Sequence, residues 1–286
     1  MPAAPPSTRG GELAPTPSQA ELKEFRRSIL GWYGENRRDL PWRRTTDPYA
    51  VLVSEIMLQQ TQVSRVAPRF SDWLSAWPDL AALASASLAD VLRRWQGLGY
   101  NNRARRLHDC ATASVAAARP GRAAELPRSL DELQALPGIG PYTARAVLIF
   151  AHNDDLAAVD ANVRRVLTHE FALPPQLAPR ELQAIADAAL PRGRSRDWHN
   201  ALMDYGAMVL TARATGIAPR TRQSAFRGSR RQQRARLLRL LLECGPQSLG
   251  QLAGALSLEP VVTEELVGLL ESDGLLTRRD GLVTVA

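Results

Sequence analysis

Apolar residues recur at helical spacing along most of the first 225 residues. In segment 20–33, Leu22, Phe25, Ile29 and Leu30 fall on one helix face. A long apolar run at 50–63 follows, and shorter helical patterns closed by proline or glycine lie at 69–76, 79–84, 87–95, 101–117, 129–135, 141–151, 161–170, 179–189 and 197–212. Strand patterns are nearly absent before residue 275, so this part is predicted to be all-α.

Both ends of the chain differ from this pattern. Residues 1–19 are rich in proline, alanine, serine and threonine without apolar periodicity, which predicts a disordered tail. The polar stretch 213–229 is a predicted boundary. After it come helical patterns at 229–243, 248–256 and 261–272, and then two short runs that flank the hairpin signal Asp280-Gly281. Residues 228–286 are therefore predicted to form a winged-helix-like domain.

Length and composition narrow the class of protein. The 286 residues are enough for more than one domain, and 45% hydrophobic with 23% charged residues is ordinary globular composition. The sequence contains no apolar run long enough for a bilayer and no basic start followed by an apolar stretch. We expect a soluble cytoplasmic protein, nucleoid-associated if bacterial, with no membrane partner.

The charge balance and the cysteine content add two constraints. A net charge of +7 and a sequence pI near 10.2 favour a polyanionic partner such as nucleic acid, although arginine enrichment can also reflect genome base composition. Lys23 is the only lysine. Cys110 and Cys244 are too few for a disulfide framework or for a four-ligand metal or cluster site.

The sharpest local motif is the run LPGIGPYTA at 136–144. Ser129 can cap the helix before it, and Pro141 suits the first turn of the helix after it. Gly138 and Gly140 allow a tight turn in which backbone N–H groups converge, and this makes an anion cradle at a helix N-terminus. Such a cradle binds a DNA phosphate without reading sequence. The alternative is a simple helix–turn–helix corner.

Several segments together resemble one family. The hairpin, the stretch VDANVRRVL at 159–167 and the stretch SEIMLQQTQV at 54–63 are similar to the helix-hairpin-helix (HhH-GPD) DNA glycosylases, most closely to the MutY-type adenine glycosylases. Further similar segments are RDLPWR at 38–43, GLGY at 97–100 with RAR at 103–105, and NALMDYGA at 200–207. The resemblance covers about residues 20–212. It implies two helical lobes, one of residues 20–48 plus 152–225 and one of residues 49–151 that ends in the hairpin.

Two carboxylates suit the chemistry that this resemblance implies. Breaking an N-glycosidic bond needs a proton for the leaving base and negative charge near the oxocarbenium ion. Glu55 lies in an apolar helix, which should raise its pKa and make it a proton donor. Asp160 precedes a helix, whose N-terminus should keep the carboxylate ionised. The resemblance adds Tyr142 and Asn162 as residues that position Asp160 or contact the sugar. Alone, Glu55 could lie on a surface turn, and Asp160 could be a plain N-cap.

The resemblance also implies DNA-contacting residues. The base pocket would contain Arg38, Leu40, Trp42, Arg43, Val63 and Asp204, with a simple core role as the alternative for Trp42. DNA would be contacted by Gln60, Thr61, Tyr100, Arg103, Arg105, Gly138, Ile139, Gly140 and Thr143. Within this second set, Gln60 and Tyr100 match residues that are inserted where a base has been flipped out of the stack.

The chain departs from the family at three places. Lyase-type members carry a lysine where this chain has Tyr142, so we expect base release without strand cleavage. Cysteines for an iron–sulfur cluster usually follow the position of Met208, but the next cysteine here is Cys244. We therefore expect no cofactor and no metal. Residues 228–286 are too short for the Nudix-like domain that many members use to sense 8-oxoguanine. The arginines of its first helix could instead follow phosphates.

The sequence thus predicts a monomeric, monofunctional DNA glycosylase of base excision repair. Its partner would be double-stranded DNA with a mispaired or damaged base, and its substrate adenine opposite 8-oxoguanine or guanine. One alternative is a thymine or uracil glycosylase acting on G mispairs, since Ala161 replaces the glycine usual in adenine-specific members. Glu55 argues against it. The other alternative, a non-catalytic DNA-binding protein, is disfavoured because both carboxylates are present.

Overall fold

The computed structural model describes residues 17–218 and 225–286, and it confirms the all-α prediction. The helices of the described residues are α1 Gln19–Asn36, α2 Pro48–Leu58, α3 Val63–Ala76, α4 Leu80–Ser85, α5 Leu88–Trp95, α6 Asn102–Ala117, α7 Leu130–Ala135, α8 Pro141–Val147, α9 Ala161–Glu170, α10 Pro179–Ala189, α11 Ser195–Met208, α12 Ala212–Thr215, α13 Arg230–Cys244, α14 Leu249–Leu256 and α15 Pro260–Ser272. A 3-10 turn spans Pro41–Arg44, and a π-turn at Leu148–His152 extends α8.

Polar caps fix where the helices begin. Ser18 caps α1 in a capping box with Glu21, Asp47 caps α2, and Ser129 caps α7 as predicted. Of the predicted tail 1–19, residues 1–16 lie outside the described residues, and α1 already begins at Gln19.

The predicted helix 50–63 is interrupted. The helix α2 ends at Leu58, Gln60 has a left-handed backbone (φ 55°), and α3 begins at Val63 and continues through Pro68. Apolar spacing continues across this interruption, which is why the periodicity did not reveal it. The result is a turn with exposed Gln60 between the buried helix α2 and the amphipathic helix α3.

One compact unit contains residues 17–38 and 154–218, that is α1 and α9–α12. Its core is aromatic: Phe25 meets Phe171 and Trp198 edge to face at centroid distances of 5.0 and 5.3 Å. Leu22 and Ile29 extend this core along α1, so the face predicted from the sequence is the buried one. The helix α11 packs against α1 and α9, which places its residues beside the start of α9.

The second compact unit contains residues 39–153 and 225–286. Its first part, α2–α8, has Trp73 edge to face with Trp77 and Trp95 at its centre. The boundary between the units falls after Arg38, ten residues before the predicted lobe boundary, so the 3-10 turn belongs to this second unit.

Residues 225–286, the C-terminal domain, contain the three predicted helices followed by an antiparallel hairpin. Strand β1 (Leu276–Arg279) pairs with β2 (Leu282–Val285), with Arg279 opposite Leu282. Asp280 and Gly281 have φ values of 51° and 75°, the pattern of a type I′ turn. Among all the described residues, no helix is both long and apolar enough to cross a membrane.

Candidate active site and DNA interface

Glu55 lies in the most completely buried helix of the second unit. Residues 49–57 of α2 are all buried, and Glu55 is 9% exposed. The helix α2 packs against α8, which carries Tyr142 and Thr143. The Gln59 Nε2 donates to Thr143 Oγ1 at 3.5 Å, so the end of α2 is tied to the start of α8. The predicted proton donor is therefore a buried residue of a largely apolar helix.

The hairpin between α7 and α8 requires glycine at one position and leaves space at the other. Gly138 has φ 79°, and a Cβ there would stand 2.7 Å from the Cβ of Arg106. Gly140 caps α8, and nothing lies within 4 Å of the place where its Cβ would be. Ile139 is buried and anchors the turn. The open side of Gly140 is therefore the side available to a phosphate.

Two loops of the second unit present the residues predicted to enter DNA. Gln60 and Tyr100 have positive φ values of 55° and 49°, a costly conformation for side chains other than glycine. Thr61 Oγ1 donates to the carbonyl of Leu98 at 3.2 Å and joins the two loops. Tyr100 is 38% exposed. Such strain in two linked, exposed loops is typical of functional sites.

Arg103, one of the predicted DNA contacts, is extensively bonded within the protein. Its Nη1 donates to the carbonyls at the end of α2, those of Ile56, Met57 and Gln59, at 2.5–3.0 Å. Its Nη2 donates to Thr61 Oγ1 and to the carbonyls of Leu98 and Gly99 at 2.9–3.0 Å. Burial lowers the pKa of Arg103 to about 10. The guanidinium therefore holds both loops, and its contact with DNA stays a prediction.

Arg105, also predicted to contact DNA, is likewise bonded within the protein, and its contact with DNA stays a prediction. Its Nη1 donates to the carbonyl of Asp273 at 2.8 Å, and its Nε lies 3.4 Å from an Asp109 oxygen. A Cβ at Gly274 would stand 2.5 Å from the Arg105 guanidinium, so the glycine permits this close approach. Arg105 therefore attaches the C-terminal domain to α6.

The basic row of α13 is also largely paired. Arg230 forms an ion pair with Glu265 at 2.8 Å, Arg234 pairs with Asp273, and Arg236 donates to the carbonyl of Leu256 at 3.5 Å. Three arginines of this helix therefore have partners within the protein, and the phosphate-following role of the helix stays a prediction.

Asp160 belongs to the first unit, where it caps α9. Its Oδ1 accepts from the Val163 N–H at 2.7 Å, and its Oδ2 accepts from Asn162 Nδ2 at 3.0 Å. Arg165 Nη2 in turn donates to Asn162 Oδ1 at 2.7 Å and to the carbonyl of Gly206 at 2.5 Å. A Cβ at Gly206 would stand 2.8 Å from that of Asn162. The carboxylate is thus oriented by a chain of contacts that reaches α11.

The pKa of Asp160 reflects opposing causes. Burial raises it, while the Val163 N–H, Asn162 and the charge of Arg165 lower it. The sequence predicted only the stabilising effect of the helix N-terminus. The net direction of the pKa is upward, opposite to the effect of the helix N-terminus, and ionisation of Asp160 near neutral pH stays a prediction.

The predicted base-pocket residues are divided between the units. In the first unit, Arg38 donates through its backbone N–H and its Nε to the Asp204 carboxylate, at 3.1 and 2.6 Å. Asp204 is fully buried, so the aspartate of this ion pair has no contact with solvent.

In the second unit, the predicted base-pocket residue Leu40 is buried, and Arg43 and Val63 are half-buried. The Trp42 ring packs edge to face on Phe70 at a centroid distance of 5.9 Å. This contact is of the kind expected from a core role, the alternative to a base-pocket role for Trp42.

Comparison with known proteins identifies relatives of this chain. The HhH-GPD superfamily of base excision DNA repair proteins matches residues 53–192. An adenine DNA glycosylase of Mycolicibacterium smegmatis is 40% identical over 281 residues, covering 90% of this chain and 94% of that protein. The chain belongs to the MutY-type adenine DNA glycosylase family. A Mycobacterium tuberculosis family member of the same description is 38% identical over 278 residues, covering 88% of this chain and 90% of that one.

Solved structures support the same fold for this MutY-type chain. A thermostable thymine-DNA glycosylase superposes with a TM-score of 0.63 at 28% identity, over 68% of this chain and 90% of that one. A non-covalent endonuclease III–DNA complex gives 0.60 at 18% identity, over 71% and 90%.

The residues of this MutY-type chain do not fit an iron–sulfur cluster. Cys110 is buried in α6, and Cys244 is exposed on α13. No group of three or more metal-binding side chains occurs among residues 17–218 and 225–286. The segment after Met208 is instead held through its backbone, because Arg165 Nε donates to the Leu210 carbonyl and Arg164 Nη2 to that of Ala218 at 2.6 Å. The sequence analysis did not identify these two arginines. They could have been found from their charge, because they lie on the buried face of α9.

A buried histidine should make the MutY-type chain sensitive to acid. His199 Nε2 accepts from the Ala158 N–H at 2.9 Å, its Nδ1 donates to the Ser195 carbonyl at 2.7 Å, and burial lowers its pKa to about 4. Because the folded pKa lies below the ordinary value near 6.5, the stability is complete above pH 6.5 and is lost toward pH 4. We expect up to about 3 kcal/mol of loss in urea unfolding between pH 7.5 and 4. The variant H199Q should flatten this pH dependence, whereas H169Q, at an exposed position, should retain it.

Proposed function

We propose that this chain is a monofunctional glycosylase that removes adenine opposite 8-oxoguanine or guanine in double-stranded DNA. The observation that carries the proposal is the Asp160 carboxylate, held by Val163 and Asn162 in a member of this family that also keeps Glu55 inside α2. We further propose that it acts as a monomer in the cytoplasm, at the nucleoid if the source is bacterial.

DNA binding would use backbone and charge more than base-specific contacts. The open side of Gly140 offers backbone N–H groups to a phosphate, and the net charge of +7 attracts the polyanion. Gln60 and Tyr100, on their strained and linked loops, would fill the gap left by the flipped adenine. Arg103 and Thr61 would serve this step by fixing the two loops.

Excision would divide the work between two carboxyl groups. Glu55 would protonate the leaving adenine, and Asp160 would stabilise the positive charge that develops on the sugar. Asn162 orients the Asp160 carboxylate and is itself oriented by Arg165. Since Asp160 must be ionised and its pKa is raised by burial, the excision rate should increase with pH through that pKa.

A panel of duplexes tests the proposal. Duplexes with A:8-oxoG, A:G, A:C, T:G and U:G are scored for base release after alkali. Release of adenine from the first two supports the proposal. Release only from T:G or U:G would favour the alternative of a thymine or uracil glycosylase. Two observations favour that alternative: Ala161, and the similarity to a thymine-DNA glycosylase at 28% identity. Binding without any release would indicate the non-catalytic alternative.

Product DNA should remain unbroken after base removal. The position of the lyase lysine is occupied by Tyr142, and Lys23, the only lysine, lies on α1. We therefore expect strand breaks on a denaturing gel only after alkali or an apurinic endonuclease is added. Borohydride trapping of a covalent adduct at the level of a true lyase would contradict this expectation.

Purified protein should be colourless and contain no iron. The reason is the thiolate supply, since Cys110 and Cys244 cannot provide four ligands. Elemental analysis and the visible spectrum of freshly prepared anaerobic protein check this directly. Iron near one cluster per chain, with visible absorbance, would show that the prediction is wrong.

A further inference from the structure

The backbone of the Tyr100 loop is fixed more firmly than its ring. The Gly99 carbonyl accepts from Trp95 Nε1 at 3.0 Å and from Arg103 Nη2 at 2.9 Å. Tyr100 follows with φ 49°, and its side chain is 38% exposed. A ring at such a position has rotamer freedom unless something holds it, and ordering it on DNA binding would cost affinity.

The C-terminal domain supplies the group that holds the ring. Arg231 Nη1 donates to the Tyr100 hydroxyl oxygen at 2.7 Å, and its Cζ lies 5.6 Å from the ring centroid. Arg103 Cζ lies 5.7 Å from the same centroid. Tyr100 therefore contacts one guanidinium of its own loop region and one that is 131 residues away in the sequence.

Arg231 is itself held in place by the packing of α13. Ser229 caps the helix, so Arg231 stands in its first turn. The other end of α13 is attached to α5, where Arg93 Nε donates to the Leu242 carbonyl at 3.3 Å. Arg105 attaches the end of α15 to α6 through the Asp273 carbonyl. The Tyr100 ring is thus connected to a domain with several independent attachments.

We propose that Arg231 is a positioning residue for Tyr100, so that the C-terminal domain orients the ring that fills the gap in DNA. The inference rests on the proposed function because it assigns Tyr100 that role. It also gives the C-terminal domain a role other than binding phosphate through its charge. Three of its arginines, Arg230, Arg234 and Arg236, have partners within the protein. A ring held in advance loses less freedom on insertion, so loss of Arg231 should slow insertion and excision.

The experiment uses the full-length chain and a duplex that reports insertion separately from excision. The duplex carries A:8-oxoG with 2-aminopurine 5′ to the target adenine, since 2-aminopurine fluorescence increases when stacking is lost. The variants are R231M, R231K and Y100A, with the double variant R231M/Y100A. The matched control is R122M, because Arg122 is an exposed arginine between α6 and α7 and was given no role in binding.

We expect R231M to lower both the fluorescence response and the single-turnover excision rate by about tenfold. R231K keeps a charge and a donor and should recover to within about threefold. R122M should behave as the wild type. In the Y100A background, R231M should have no further effect, because Arg231 acts through that ring. If R231M is too unstable by thermal unfolding, Y100F replaces it and should show about a threefold loss.

Each alternative outcome is decisive. The inference would be overturned if R231M excised adenine at the wild-type rate or faster. It would also be overturned if R231M lowered the excision rate of the Y100A protein as much as it lowers that of the wild type. The same holds for a wild-type protein without a 2-aminopurine response. A wild type that excises no base, but whose 2-aminopurine response depends on Arg231, would overturn the proposed function and leave the inference intact.

Discussion

Glu55→Gln and Asp160→Asn are each expected to reduce adenine excision by roughly 10²–10⁴-fold. Glutamine at position 55 cannot give up a proton to the leaving base, and asparagine at position 160 cannot carry the negative charge that the sugar requires. Neither residue belongs to the hairpin of Gly138 and Gly140, so DNA affinity should change little. Single-turnover rates on A:8-oxoG duplexes and fluorescence anisotropy on a non-cleavable duplex measure the two effects separately.

The matched control is Glu132→Gln, since Glu132 is an exposed carboxylate on α7. It should excise at the wild-type rate. If either active-site variant retained near-native turnover on the best substrate, the role given to that residue would be wrong. A large loss of affinity in Asp160→Asn with an unchanged rate would instead mean that Asp160 serves binding.

Arg103→Met is expected to have the largest effect on stability. The guanidinium donates to five backbone carbonyls and to the Thr61 hydroxyl, and methionine would remove all of these bonds. The carbonyls of Leu98 and Gly99 would keep the bonds from Thr61 and Trp95. A buried acceptor left unpaired costs about 1–3 kcal/mol, and some of these will find water, so we expect a total of about 3–5 kcal/mol. Urea unfolding measures this loss. Excision should also fall at least about tenfold, because Gln60 and Tyr100 lose their common support.

Arg122→Met is the control, because Arg122 is exposed in the segment between α6 and α7. It should change the free energy of unfolding by less than about 0.5 kcal/mol. An Arg103→Met protein within about 1 kcal/mol of the wild type would show that water replaces the guanidinium at little cost. Arg103 would then be available for the DNA contact that its sequence position first indicated.

The sequence was most informative where local chemistry decides the structure. Ser18, Asp47 and Ser129 begin helices because of their own side chains, and Asp280-Gly281 closes a hairpin because of its own backbone preference. The placement of Glu55 inside an apolar helix follows from the neighbouring residues in the same way.

The sequence was least informative where segments far apart meet. Arg103 was predicted only as a DNA contact. Nothing in its neighbouring sequence shows that backbone carbonyls of segments 56–59 and 98–99 converge on its guanidinium. The orientation of Asp160 depends on Gly206, 46 residues away, and on Arg165. The sequence predicts on which helical face Arg165 lies, but it does not predict which groups Arg165 contacts. The interruption at Gln60 needed the same long-range knowledge, since apolar spacing runs through it.

The left-handed backbone at Gln60 and Tyr100 has a consequence for how this protein can change by mutation. Glycine at position 60 would relieve a strained conformation and should stabilise the fold by about 1 kcal/mol. At position 100 this gain is opposed, because glycine would also remove the contacts of the ring with Arg103 and Arg231. Glycine at position 60 would delete a side chain proposed to occupy the gap in DNA. Selection for thermal stability and selection for repair therefore act in opposite directions at this codon. A library enriched for heat resistance alone should accumulate glycine there and lose its ability to suppress mutation.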